Sequence, residues 1–373
     1  MTANVDIEDV PPSRQCRKVV GHSHAQDLFL DAFTAGKLHH AWLITGPRGV
    51  GKASLAYTMA RFLLHNPPVS NEGPGLFGDV LEPVCPESLE TDPESPVNHR
   101  ITAGSHPDLI SIERSVDDKT GKKRNEILVN DVRRLQGFYN TTSGEGGWRV
   151  AIVDSADELN RNAANALLKI LEEPPSNSIL FVLAHAPGRL LPTIRSRCRQ
   201  LRLMPLEFNE VSQVVGRQYP SLPAGEVQGC ALLSEGSPGY AITLAEQKGL
   251  ELYGQILSLM SLLPAMNIPA LHALADDLAG AKNKDRFGLF TDLLTRFFNR
   301  LVRVNAGEGH EIAEILDGEL ELMKSLGQRL PLDQWVELWE KGSHILARTD
   351  AVNLDRKQVV LNIFAMISQS LRA

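Results

Sequence analysis

The sequence predicts an α/β fold, with a parallel sheet covered by helices through about residue 205 and a helical remainder after it. Three observations carry this. Strand-like apolar runs alternate with helical patterns or long crossovers, the connection that parallel strands require. A glycine-rich turn joins the first of these runs directly to a helix. Beyond Pro205 the strand signals fade, and apolar residues recur three and four apart instead.

Residues 42–45 form the first strand candidate, and residues 54–64 read as the helix that follows the turn. Further strand candidates are residues 109–112, 150–153, 179–184 and 201–203. Between Asn66 and Pro107 lie eight of the 22 prolines, with scattered Gly, Glu and Ser, which predicts a long irregular insertion at about 66–107. Lys119-Thr120-Gly121-Lys122-Lys123-Arg124 is a charged turn, read as a solvated hairpin tip ahead of a nucleic-acid contact. Asn160 is a good N-cap for a helix over 160–173. Its residues Ala163, Ala164, Leu167, Leu168 and Leu171 face one way, and Pro174-Pro175 end it. Glu172 and Glu173 stand at its C-terminus, where the helix dipole favours cations; this suggests a partner for them, with solvated surface charge as the default reading. In the remainder, Phe287, Leu289, Phe290, Leu293, Leu294, Phe297, Phe298, Leu301 and Val302 form one apolar stripe. Trp335 and Trp339 repeat that spacing, as do Val359, Leu361, Phe364 and Ile367 less strictly. These read as core.

The turn is Gly46-Pro47-Arg48-Gly49-Val50-Gly51-Lys52-Ala53-Ser54. Strand, G-x-x-x-x-G-K and helix is the context of a phosphate-binding loop. Gly46, Gly49 and Gly51 let backbone N–H groups converge on an anion, and Lys52 reaches the outer phosphates. Ala53 stands where Ser or Thr would hold magnesium, and it has no oxygen to offer. Ser54 is rotated by about 100° and points elsewhere. Phosphate binding survives this reading and hydrolysis is weakened.

The apolar run 150–153 ends in Asp154, the way such folds deliver a carboxylate to the metal. Ser155 follows, where an acid that orients the attacking water is often found. Asp157 and Glu158 lie beyond the strand. Farther on, Thr193-Ile194-Arg195-Ser196-Arg197-Cys198 places two guanidiniums two residues apart, so on a helix they would not share a face. A guanidinium suits a transferring phosphoryl group, while composition alone reads as a basic surface turn.

The 373 residues allow two or three domains, and 43% hydrophobic with 22% charged residues is ordinary globular composition. A net charge of −7 argues against a mainly DNA-coating protein. Residues 1–12 have no apolar h-region and no run approaches a membrane span, so the cytoplasm is expected and a membrane partner is not. Cys16, Cys85, Cys198 and Cys230 contain no C-x-x-C, so neither a disulfide framework nor zinc is expected. Cys85 with His99 and His106 is loosely spaced, lacks a fourth ligand, and reads as plain loop.

Taken in order, these motifs resemble the delta-prime family of subunits in the bacterial DNA polymerase III clamp loader, which are AAA+ proteins. The resemblance is densest in His39-His40-Ala41-Trp42-Leu43-Ile44-Thr45-Gly46-Pro47, in Asn165-Ala166-Leu167-Leu168-Lys169-Ile170-Leu171-Glu172-Glu173-Pro174-Pro175, and in Arg195-Ser196-Arg197-Cys198. It covers residues of roughly 18–245, and the C-terminal part by architecture only. It implies an AAA+ P-loop domain at 1–205, a small helical lid at 206–260 and a helical collar domain at 261–373 that joins a five-subunit ring. It also implies that Ser196, Arg197 and Cys198 lie at a subunit interface, with Arg197 acting in trans as an arginine finger on ATP held by a neighbouring tau/gamma subunit. The implied partners are tau/gamma and delta and, through the complex, the sliding clamp and primer-template DNA.

The departures from the family pattern point one way. The tau/gamma motors have a hydroxyl after the P-loop lysine, Asp-Glu at the strand end and a lid arginine. This chain has Ala53, Asp154-Ser155 and, after Gly236-Ser237-Pro238-Gly239, Tyr240. Many relatives carry a four-cysteine zinc module after the P-loop helix, where this chain has Cys85 alone. The reading is a non-hydrolysing subunit of the polymerase complex without ATPase activity of its own. Whether ATP or ADP sits passively on the nucleotide-binding set Gly46, Gly49, Gly51, Lys52 and Asp154 stays open. The alternatives are an active tau/gamma-like ATPase using Lys52, Asp154 and a displaced acid such as Glu158, and an unrelated P-loop regulator.

Overall fold

The computed structural model describes residues 13–16, 18–66, 86–117, 119, 121, 123–141, 144, 147–280, 284–307, 312–349 and 354–372. It separates into two compact units: Pro11–Glu210 with Gly236–Gly239, and Val211–Glu235 with Tyr240–Ala373.

The first unit is built on five strands, β1 (Ala41–Thr45), β2 (Leu109–Ile112), β3 (Arg149–Val153), β4 (Ser178–Ala184) and β5 (Arg199–Arg202). All pair in parallel, in the order β2-β3-β4-β1-β5. Side chains alternate between faces with period two. Trp42, Ile44, Ile152, Phe181 and Leu183 face one apolar cluster. Leu43, Ala151, Val153, Leu180 and Val182 face the other. Burial on both sides explains why β1, β3 and β4 read as unbroken apolar runs, and it confirms the predicted class.

The helices are α1 (Ser23–Thr34), α2 (Lys52–His65), α3 (Pro96–Ala103), α4 (Val129–Tyr139), α5 (Arg161–Glu172) and α6 (Pro192–Ser196). α5 starts where expected, with the Asn160 side chain accepting from the Ala163 amide at 2.9 Å. Two expectations need correction. The proposed irregular insertion contains α3: Ser95 caps it by accepting from the Asn98 amide at 3.2 Å, and Gly104 ends it in the left-handed region. Pro96 counted against a helix there, yet proline is well suited to a first helical position. Of that insertion, residues 67–85, Cys85 among them, lie outside the described residues. The last strand is Arg199–Arg202 rather than 201–203; it pairs on one side only, and three of its four residues are polar.

The second unit is helical among its described residues. Its longest helix, Lys284–Asn305, buries Phe287, Leu289, Phe290, Leu293, Leu294, Phe297, Phe298 and Leu301. Trp335, in the helix Leu332–Thr349, is fully buried and its indole N–H donates to Leu326 O at 3.3 Å. Arg300 meets Glu319 inside this unit, Nε to Oε1 at 2.8 Å and Nη2 to Oε2 at 3.0 Å. Tyr253 Oη donates to the same carboxylate at 2.5 Å, as does the Ile315 amide at 2.8 Å. Among the described residues no helix is long and apolar enough to cross a membrane.

Candidate functional site

Parallel pairing in the order β3-β4-β1 brings three strand C-termini to one edge, the place where open α/β sheets bind ligands. The glycine-rich loop follows β1, Asp154 follows β3 and His185 follows β4.

The loop between β1 and α2 is tightly held. Gly46 has φ +154°, and a Cβ there would lie 2.7 Å from Leu203 O, so no side chain fits. Five successive carbonyls of the loop have partners. Lys52 Nζ donates to Gly46 O at 2.9 Å and to Pro47 O at 2.7 Å. Ser237 Oγ donates to Arg48 O and the Gly239 amide to Gly49 O, both at 2.9 Å. His22 Nε2 lies 2.8 Å from Val50 O. Burial lowers the Lys52 ammonium to about 8, against the opposing pull of Asp154 and Asp157. Ala53 packs against the apolar cluster under the sheet and presents no oxygen.

Asp154 is mostly buried, and burial together with Glu113 pushes its carboxyl above the usual range despite Lys52. Ser155, where a water-orienting acid would sit, has φ +61°, and its hydroxyl lies 3.5 Å from Asp154 Oδ1. The two displaced acids are committed elsewhere. Asp157 accepts from the amides of His185 and Ala186 at 3.2 and 3.1 Å. Glu158 pairs with Arg114 at 3.0 Å, with both side chains largely buried. A divalent ion would therefore find Asp154 without the hydroxyl that normally completes its site. Among the described residues no three acidic, His or Cys side chains gather as metal ligands.

His185 was not singled out from sequence, although it directly follows an apolar strand. Burial lowers its imidazole to about 4, and the Lys52 charge pushes the same way. It is thus a neutral ring beside the loop. His22 was missed too, since nothing in a Gly-His pair marks it as touching residues 28 positions away.

Arg197 caps the C-terminus of α6. Cys198 beside it is buried in the cluster that also holds Leu167, Leu171 and Ile194, and burial pushes its thiol up to about 12. It is an anchor, not a nucleophile. Ser196 is exposed and its hydroxyl donates to Thr193 O at 3.1 Å. Arg197 Nη2 pairs with Glu172 Oε1 at 3.0 Å, and Nη1 donates to Thr193 O at 3.2 Å. Arg195 lies within α6 with its Nε buried and unpaired. Of the two guanidiniums, Arg197 is the one held at the surface by a defined pair of contacts. In the other unit, the Tyr240 ring is covered by the Arg296 guanidinium, 4.3 Å from the centroid.

A family model described as DNA polymerase III, delta subunit matches residues 21–207, half of the chain and nearly all of the unit that carries this site. The chain belongs to the DNA polymerase III delta-subunit family. Within that family it is 37% identical to the delta' subunit of Pseudomonas aeruginosa, over 53% of each chain. It is 32% identical to the delta' subunit of Escherichia coli, over 57% of this chain and 56% of that one. The tau subunit of E. coli matches at 30% over 61% of this chain and 32% of its own. The chain thus spans about half the length of the delta' subunits it matches. A solved DNA polymerase III gamma-subunit-related protein from Thermotoga maritima covers 92% of this chain at 19% identity, with a TM-score of 0.40.

Proposed function

We propose that this member of the delta-subunit family is a non-hydrolysing stator of the clamp loader. It closes the subunit ring, binds tau/gamma and delta, and presents Arg197 to ATP held by a neighbouring tau/gamma subunit while the sliding clamp is loaded onto primer-template DNA. The helical residues 206–260 serve as a lid and 261–373 as the collar that joins the ring, in the cytoplasm. Its own loop supplies a frame for the AAA+ unit rather than a catalytic pocket.

One observation carries the proposal. The G-x-x-x-x-G-K loop is kept between its strand and helix, while Ala53 and Ser155 occupy the two positions hydrolysis needs, and the acids that would replace Ser155 are engaged with His185, Ala186 and Arg114. The active-ATPase reading needs Glu158 as base. Its pairing with Arg114 at 3.0 Å disfavours that role.

The test is ATP turnover. The purified chain should show none above background, and stimulated turnover would refute the stator reading. In a loader reconstituted with tau/gamma and delta, Arg197→Ala should leave assembly intact and lower turnover at the neighbouring site about tenfold or more, in line with arginine fingers elsewhere. If Arg195→Ala produces that loss instead, the finger is misassigned.

A further inference from the structure

We infer that Glu172 is the resting partner of the Arg197 guanidinium, a carboxylate that occupies it in the unassembled subunit and yields it to a phosphate of the neighbour's nucleotide. The inference rests on the in-trans reading of Arg197.

Both terminal nitrogens of Arg197 are used within the chain, Nη2 on Glu172 and Nη1 on Thr193 O. Those nitrogens form the edge with which a guanidinium forks onto two oxygens of a phosphate. For Arg197 to act on another subunit, at least one of the two contacts must open. The Glu172 contact is the one with the chemistry to regulate, because it is charged and offers an anionic oxygen, as the incoming group does.

The contact is not a chance meeting of two mobile side chains. Glu172 is the last residue of α5 and Arg197 caps α6. The two helices are fixed to one another through Leu171, Ile194 and Cys198 in a single apolar cluster. Backbone positions are therefore set, and only the outer side-chain bonds turn. Glu172 also stands against local electrostatics, since a helix C-terminus repels a carboxylate. Arg197 offsets that repulsion, which gives a reason for this acid to be met by this cation.

Exposure sets the strength. The side chains are 38% and 49% exposed, so solvent screens the pair and its advantage is within about fivefold in an equilibrium constant. A nucleotide polyphosphate carries more charge and wins the exchange. The pair thus covers the guanidinium against weaker anions before assembly and gives way afterwards.

The experiment uses full-length chains in the reconstituted loader, comparing wild type, Glu172→Gln, Arg197→Ala and the double variant. Glu172→Gln should lower the KM for ATP about two- to fivefold with kcat within twofold. That gain should vanish in the Arg197→Ala background and shrink as salt is raised. Glu172→Ala should shift KM in the same direction. An unchanged KM, or a fall in kcat resembling that of Arg197→Ala, overturns the inference. If Arg197→Ala itself leaves turnover unchanged, the in-trans reading fails and takes the inference with it. If Arg197→Ala lowers turnover while Glu172→Gln does nothing, only the resting-partner role is lost.

Discussion

The Gly239 amide donates to the Gly49 carbonyl at 2.9 Å, so the segment 236–239 returns to the phosphate loop and closes on it. The approach is backbone to backbone. A Cβ on Gly239 would sit 3.0 Å from both Gly49 Cα and Gly49 O, tighter than side chains tolerate without movement. The Ser237–Arg48 contact beside it makes the closure two-pronged.

Gly239→Ala should therefore cost about 1–3 kcal/mol, as overpacking against unyielding backbone does. Ser237→Ala should cost about 1 kcal/mol through its lost hydrogen bond. Urea denaturation of the two variants measures both. A Gly239→Ala protein as stable as wild type would show that the loop relaxes freely and that the closure is slack.

How much of this was legible in the sequence follows from range. The apolar runs of β1, β3 and β4 announce burial on both faces, and Asn160 announces the start of α5, because these signals lie within a few residues. Ser237 and Arg48 are 189 residues apart, and no periodicity connects them. The helix dipole suggests a partner for Glu172 against a default of solvated charge, and that the partner is Arg197 needed the packing of α5 on α6. α3 was hidden because prolines were read as breakers without regard to position. Its Ser95 cap and Gly104 stop were both present in the sequence.

The buried network in the helical unit should dominate its stability. Glu319 is wholly buried and Arg300 nearly so, and both oxygens of the carboxylate are satisfied by Arg300, Tyr253 and Ile315. Burial, then the Glu319 charge, pushes the Tyr253 hydroxyl upward, so it remains a donor at any working pH. Glu319→Gln leaves a buried guanidinium without its counter-ion and should cost about 3–5 kcal/mol. Arg300→Met with Glu319→Leu should recover part of that loss, since a packed apolar pair avoids ion desolvation while Tyr253 Oη and the Ile315 amide lose their acceptor. Thermal unfolding of the three proteins decides; a double variant no better than the single would mean that the network shapes the unit beyond its charge balance.

Lys52 predicts an alkaline signature. Its ammonium is lowered to about 8 in the folded chain from an unfolded value of 10.5. Between those values the unfolded chain binds more protons, so folding stability rises with pH across the window. Below about 8 the charged form is present in both states and its desolvation cost is fully felt. Moving from pH 7.5 to 9.5 should thus stabilise wild type by about 2 kcal/mol relative to Lys52→Met, which has no proton to release. Urea titrations at the two pH values measure the difference. A gap that stays constant would mean that the Gly46 and Pro47 carbonyls hold the lysine charged.

Asp154 separates a stator from a motor through what its replacement does to stability and to turnover. Its folded carboxyl lies above the ordinary 3.8, chiefly through burial and secondarily through Glu113. The folded chain therefore binds more protons than the unfolded one between those values, and stability falls as pH rises through that window. Above it the ionised group is a standing cost, which Asp154→Asn removes while keeping shape. The variant should unfold at a higher temperature than wild type at pH 7.5, with the advantage disappearing as pH falls toward 4. In a hydrolysing site this carboxylate is retained for the metal it holds, and its removal abolishes turnover whatever it does to stability. Here its replacement should leave turnover of the reconstituted loader within twofold. Loss of that turnover on Asp154→Asn, with the complex still assembled, would place a working metal site in this chain and remove the case for a stator.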